Sequence, residues 1–307
     1  MKRFRVSGHS MSPTLQPGQE VVAVDTRQAR PGNLVVLPHP GRSGMWLIKR
    51  LVDESGWVTS DNADDHSFDS ATLGALPVSS MLPVVERLDE ETFRAACDLL
   101  IGEDPHLARL VDRWGVPAFW HRRPGYRTLV LLILEQQVSL ESGAAMYRRL
   151  GDLVGEVTPA NTVRAGDDGL RSIGVTRQKT SYLLDLARMV LDEGLDLDAL
   201  DHEPVAKARA DLLAIRGIGP WTADAYLLSA SRRPDMWPVG DRALQVGVGE
   251  ALGAGAPPDE EELEILGERW RPIRAAAARL IWHAYLSERG RVEPADPTAA
   301  HRGPAPA

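Results

Sequence analysis

Over the first 88 residues, apolar side chains come in short runs and alternations. The runs are Glu20–Val24, Asn33–Leu37, Trp46–Val52, Gly56–Thr59 and Met81–Arg87. Turns such as Gln16-Pro17-Gly18 and Arg30-Pro31-Gly32 separate them, which predicts β-strands. From about residue 91 the apolar spacing lengthens to i, i+3, i+4. That period predicts helices over Thr92–Ile101, Thr128–Leu150, Gln178–Glu193, Glu203–Ile215, Thr222–Ser231, Arg242–Leu252, Glu260–Trp270 and Ile273–Glu288. Residues 291–307, RVEPADPTAAHRGPAPA, are rich in Pro and Ala and carry no period, so a disordered tail is expected. The reading is a multidomain α and β protein: a small mostly-β domain over 1–89, an all-α domain over 90–290, and a tail.

Composition narrows the classes. A length of 307 residues suits two domains with real cores. One Cys excludes an internal disulfide, a cysteine-ligated iron–sulfur cluster and any CxxC zinc site; no metal or other cofactor is expected. No apolar run approaches the roughly 18–20 residues of a membrane span. The basic start turns polar at once and lacks the apolar stretch of a signal peptide. A cytoplasmic monomer without membrane contact is the expectation.

The formal net charge is −8, which taken alone argues against nucleic acid as a partner. Its distribution alters that. Residues 1–88 balance, with nine basic and nine acidic side chains, whereas Asp104–Leu150 holds seven Arg against four acids. The basic residues are nearly all Arg. Only Lys2, Lys49, Lys179 and Lys207 are lysines, a bias that resembles a GC-rich bacterial proteome and singles out each Lys.

In the helical half the sharpest motif is Ile215-Arg216-Gly217-Ile218-Gly219-Pro220-Trp221. One helix ends at Ile215, the glycines allow a tight hairpin, and Pro220 suits the first turn of the next helix. Amides at that new N-terminus could hold one DNA phosphate without reading sequence. An ordinary αα-hairpin would look the same. Twenty residues on, Val239-Gly240-Asp241-Arg242 places an aspartate just ahead of another amphipathic helix, where on its own it reads as an N-cap.

Hairpin, loop and aspartate together resemble the helix–hairpin–helix DNA glycosylases, the 3-methyladenine DNA glycosylase II type most closely. The likeness runs over about residues 100–288 and includes Glu135-Gln136-Gln137-Val138-Ser139, Gly174-Val175-Thr176-Arg177-Gln178-Lys179 and Arg269-Trp270-Arg271-Pro272 before Ile281-Trp282. It implies base excision repair on double-stranded DNA carrying alkylated purines. Asp241 would stabilise the cationic sugar and direct water to C1′. Trp221 and Trp282 would line the base pocket, with cation–π attraction for an alkylated purine. Gln137 would fill the gap left by the flipped base. Gly217, Ile218 and Gly219 would hold the DNA phosphate. Trp221 stands where bifunctional members carry a Schiff-base lysine, so a monofunctional enzyme without lyase activity is implied. Ala225 and Arg242 replace aromatic pocket residues of the family.

The β half carries a second ordered set: Gly8-His9-Ser10-Met11-Ser12-Pro13, Leu47-Ile48-Lys49-Arg50, then Ser60-Asp61-Asn62 and His66-Ser67-Phe68-Asp69-Ser70. This order resembles the type I signal peptidases with their Ser–Lys dyad, the soluble nickel-superoxide-dismutase maturation proteases in particular. Desolvation in an apolar β setting lets a Lys lose its proton. The resemblance makes Ser10 the nucleophile, Lys49 the base, Ser67 the residue orienting the lysine and Asp69 a structural acid. Asn33, Ser60 and Ala71 depart from the family's Asp, Gly and Arg.

Two functions compete on sequence alone. In one, a monofunctional glycosylase is fused to a serine protease-like domain acting on a protein or peptide. In the other, the chain is chiefly a maturation or self-processing protease whose helical half is a DNA-binding module.

Overall fold

A computed structural model describes residues 1–119 and 122–299. Among these, six strands precede the main helical region: β1 Lys2–Arg5, β2 Glu20–Ala23, β3 Leu34–Pro38, β4 Trp46–Leu51, β5 Val58–Thr59 and β6 Leu82–Pro83. A short helix, α1 Ser70–Leu73, lies between β5 and β6. β1 and β2 pair antiparallel, and β5-β4-β3-β6 form a four-stranded antiparallel sheet. A bridge between Ala23 and Val84 links the two sheets. No strand is expected from Lys2-Arg3-Phe4-Arg5, where only Phe4 is apolar. Its pairing with Glu20–Ala23 makes it one.

Twelve further helices follow: α2 Glu90–Glu103, α3 Pro105–Trp114, α4 Tyr126–Glu135, α5 Leu140–Val154, α6 Pro159–Ser172, α7 Arg177–Asp192, α8 Leu197–His202, α9 Val205–Ala214, α10 Pro220–Ser229, α11 Arg242–Leu252, α12 Glu260–Gly267 and α13 Arg274–Glu288. Their starts are written in the sequence as side-chain caps. Asp89 closes a capping box with Thr92, and Ser139, Thr158, Thr176 and Asp259 each accept a backbone N–H of the turn they open. The single helix expected over Thr128–Leu150 is two. Gln136 ends α4, Gln137 takes a left-handed φ of 58°, and Ser139 caps α5. Local backbone chemistry overrides the apolar period there.

α13 packs against α11, α3 and α2, and the largest core gathers side chains from most of the helices. Val22, Val24, Val85 and Leu88 of the β half belong to that same core. Leu88 N–H donates to the Arg232 carbonyl at 2.8 Å, and Arg87 bonds Asp201. The expected boundary near residue 89 is therefore a change of secondary structure without a break in packing.

The tail also differs from expectation. Glu293 pairs with Arg279 at 2.6 Å, and Pro297–Ala299 form a 3-10 turn in which Pro297 and Thr298 are buried. Burial of a few side chains and an ion pair order a segment whose composition gives no period. Residues 300–307 of the expected tail lie outside the described residues. No helix among the described residues is long and apolar enough to cross a membrane.

Candidate active sites

Asp241 sits at the N-cap of α11, and every hydrogen bond to its carboxylate comes from an N–H. Oδ1 accepts from the Leu244 backbone at 2.8 Å and from Trp282 Nε1 at 2.9 Å; Oδ2 accepts from Trp221 Nε1 at 2.8 Å. A carboxylate has about four acceptor positions. Three are filled, and the one left is on Oδ2. All three side chains are half-buried, so the group is reachable from solvent. The α11 N-terminus and the two indole N–H groups all turn the positive ends of their dipoles toward this carboxylate.

The surrounding fold holds this arrangement. Between α10 and α11 the chain is pinned by Arg274, which donates to Asp235 at 2.8 and 3.2 Å. Burial raises the Asp235 carboxyl above its usual range, and Arg274 and Arg271 oppose that rise. Trp237 is buried, donates to the Leu263 carbonyl at 3.0 Å and lies 5.3 Å from the Trp270 ring. Gly247 lets α11 and α13 meet: a Cβ there would lie 2.6 Å from Ile281 Cγ2. That close approach puts Trp282, on the next position of α13, within reach of Asp241.

Gly217 has φ +90°, and a Cβ would fall 2.3 Å from the Tyr182 ring. Gly219 is the N-cap of α10 with no side chain to cap it, followed by Pro220. Gly219 and Pro220 are exposed at this turn. Ile218 differs from expectation. Its side chain is buried and its amide is bonded to the Ile215 carbonyl at 3.0 Å. The outward donors of the hairpin are thus those around Gly219.

Gln137 projects from the turn between α4 and α5 and is exposed, beside Val138, which is 48% exposed. Its neighbour Gln136, to which the sequence attaches no role, donates its carboxamide to the Gly217 carbonyl at 2.8 Å and the Thr222 hydroxyl at 3.0 Å. Lys179, one of four lysines and the last residue of the Gly174–Lys179 motif, donates to the carbonyls of Leu134 and Gln136 at 2.7 and 2.8 Å.

In the β half, alternation along β4 places Lys49 on the same inward side as Leu47 and Leu51, and it is only 2% exposed. Burial pushes its ammonium below the usual lysine range, against the pull of Asp69 and Asp65. Lys49 Nζ donates to Ser60 Oγ at 2.9 Å and to the Ser67 carbonyl at 2.6 Å. The side chain of Ser67 turns away, to Asp65 at 2.5 Å. The hydroxyl orienting Lys49 is therefore that of Ser60, because the loop offers Lys49 the main chain of Ser67 instead. Asp69 caps α1. Ser10 is tied to the same loop, its carbonyl accepting from Asn62 N–H at 2.9 Å. Its hydroxyl makes no hydrogen bond to Lys49 in this structure. Among the described residues no three His, Cys, Asp or Glu side chains could hold a metal ion together.

Comparison with known proteins follows this division. Residues 130–272 match the model of the HhH-GPD superfamily base excision DNA repair proteins. Residues 1–57 match the signal peptidase, peptidase S26 model, which reaches Ser10 and Lys49 but stops short of Ser60 and Ser67. A crystal structure of a DNA-3-methyladenine glycosidase from Bacillus halodurans is 30% identical, with a TM-score of 0.53, covering 64% of this chain and 91% of that one. The Schizosaccharomyces pombe 3-methyladenine DNA glycosylase in complex with abasic DNA shares the fold, with a TM-score of 0.58 at 22% identity over 61% of this chain and 95% of that one. A DNA-3-methyladenine glycosylase of Bacillus subtilis is 24% identical over 162 residues, 49% of this chain and 54% of that protein. The chain spans little more than half the length of the first curated relatives it matches, 58% and 53%.

Proposed function

The helical part of the chain belongs to the HhH-GPD superfamily of base excision DNA repair proteins, and from that premise we propose that it is a DNA glycosylase hydrolysing the N-glycosidic bond of alkylated purines of the 3-methyladenine type. The observation that carries this reading is the Asp241 carboxylate, held by three N–H donors with one acceptor position left on Oδ2. An alkylated purine already carries positive charge and departs readily. What remains is to stabilise the cationic sugar and align water at C1′, and a rigidly held carboxylate does both. The hairpin grips one phosphate through the amides near Gly219. Gln137 fills the stack behind the extruded base.

A monofunctional reaction follows from the lysines. Lys179 is engaged with two carbonyls, exposed Lys207 pairs with Asp211, and Lys2 and Lys49 lie in the β half. No lysine stands at position 221 to form a Schiff base with the abasic sugar. Purified protein should release free base from alkylated duplex DNA and leave abasic sites that break only on heating. Asp241→Asn should abolish release while DNA binding persists; release at the wild-type rate in that variant rules out the assignment.

A second reading, for the β half, is supported by the buried Lys49. A lysine with a lowered pKa is a general base, and Ser10 is the nucleophile held on the adjoining loop. The proposed activity is that of a Ser–Lys peptidase of the signal peptidase type. Because the base must be neutral, cleavage should rise with pH through Lys49's lowered pKa, along a limb below that of a free lysine. Ser10→Ala and Lys49→Ala should each stop peptide cleavage or self-cleavage. Equal behaviour of wild type and both variants would leave the dyad without a role.

A further inference from the structure

The α4–α5 turn is secured from two sides. Helix α4 ends at Glu135, and the turn that follows serves two of its last carbonyls, Ile133 from Gln136 N–H and Glu135 from Val138 N–H, each at 3.4 Å. Lys179, in the first turn of α7, supplies its ammonium to two carbonyls there, those of Leu134 and Gln136. The compact three-donor ammonium serves both carbonyls at once. Lys179 is half-buried, and desolvation lowers its pKa, so it is not a solvated surface charge.

From the same residue, Gln136 reaches the opposite way. Its carboxamide bonds the carbonyl of Gly217, inside the hairpin, and the buried Thr222 hydroxyl in the first turn of α10. Gln137 comes next, exposed, with φ 58°, a conformation a side-chain-bearing residue keeps only where its surroundings impose it.

We propose that Lys179 and Gln136 are positioning residues that lock the Gln137 turn to the hairpin, so that grip on the DNA backbone and insertion into the base stack happen as one rigid action. This deepens the glycosylase reading and rests on it. A loose turn would have to be ordered at the moment of flipping; a locked one has been ordered during folding. The benefit therefore falls on one step, extrusion of a paired base. It is absent when the base is already unstacked.

The test uses the full chain and DNA containing a single 7-methylguanine, either paired in a duplex or placed in an unpaired bulge. With Lys179→Met or Gln136→Leu, single-turnover release from the duplex should fall by about tenfold or more, while release from the bulge stays within about twofold of wild type. A 2-aminopurine beside the lesion should lose its unstacking signal in the same variants. Equal losses on both substrates, or no loss on the duplex, overturn the proposal. Should Lys179→Met fail to fold, Gln136→Leu makes the same comparison alone. Asp241→Asn should lose release on both substrates yet keep the 2-aminopurine signal. If wild type frees no base from either substrate, it is the glycosylase reading that fails; the 2-aminopurine signal still decides the lock.

Discussion

At Asp241 the two indoles contribute hydrogen-bond donors to the carboxylate. Replacing either by phenylalanine keeps an aromatic surface and removes one N–H. A hydrogen bond to a charged group contributes about 1.5–3 kcal/mol. Trp221→Phe and Trp282→Phe should therefore each slow base release by roughly ten- to a hundredfold. DNA affinity should change little. Single-turnover rates alongside binding isotherms check this, and an undiminished rate would show that the N–H is idle. The identities of Asp241, Trp221 and Trp282 are legible from the order of motifs. Their mutual bonding is not, since it depends on how near α11 comes to α13 at Gly247. The same limit explains Ser67: spacing along a loop locates the loop, but which hydroxyl turns toward Lys49 is settled by the backbone path that puts Ser60 there.

Among the elements, the hairpin between α9 and α10 is tightly constrained. Gly217→Ala would meet both an unfavourable positive φ and a 2.3 Å encounter with the Tyr182 ring. A loss of about 2 kcal/mol or more in stability is expected, with Tyr182 displaced. Thermal unfolding should register a lower Tm, and salt-dependent DNA binding should weaken; an unchanged Tm would mean the ring moves freely. The hairpin is readable in the sequence because glycine and proline act locally. Helices α3 and α6 carry comparable signals, Asp104-Pro105 and Thr158-Pro159, with an N-cap followed by proline at the first turn. They are absent from the periodicity-based expectation, in which apolar spacing outweighs caps. The α4–α5 break reverses that error: apolar residues continue through it while Gln137 and Ser139 stop the helix.

Across the whole molecule, the acidic balance says little about the partner. Asp and Glu residues are largely spent on caps and ion pairs, as at Asp89, Asp235 and Glu135, the last buried against Arg122. Burial raises the Glu135 carboxyl and Arg122 opposes it. The two-part organisation is legible because strand and helix periods differ. Its integration is not, because Val22, Val24, Val85 and Leu88 look like ordinary strand residues until their neighbours are known. Those four side chains change how inherited variation in this chain should be interpreted. A polar replacement at Val22 would touch neither Asp241 nor Lys49, and would sit in the stretch whose sequence resembles a peptidase. Its damage would nonetheless spread through the core shared with the helices that hold Asp241, so a loss of the proposed base release would trace to a codon within the peptidase-like stretch.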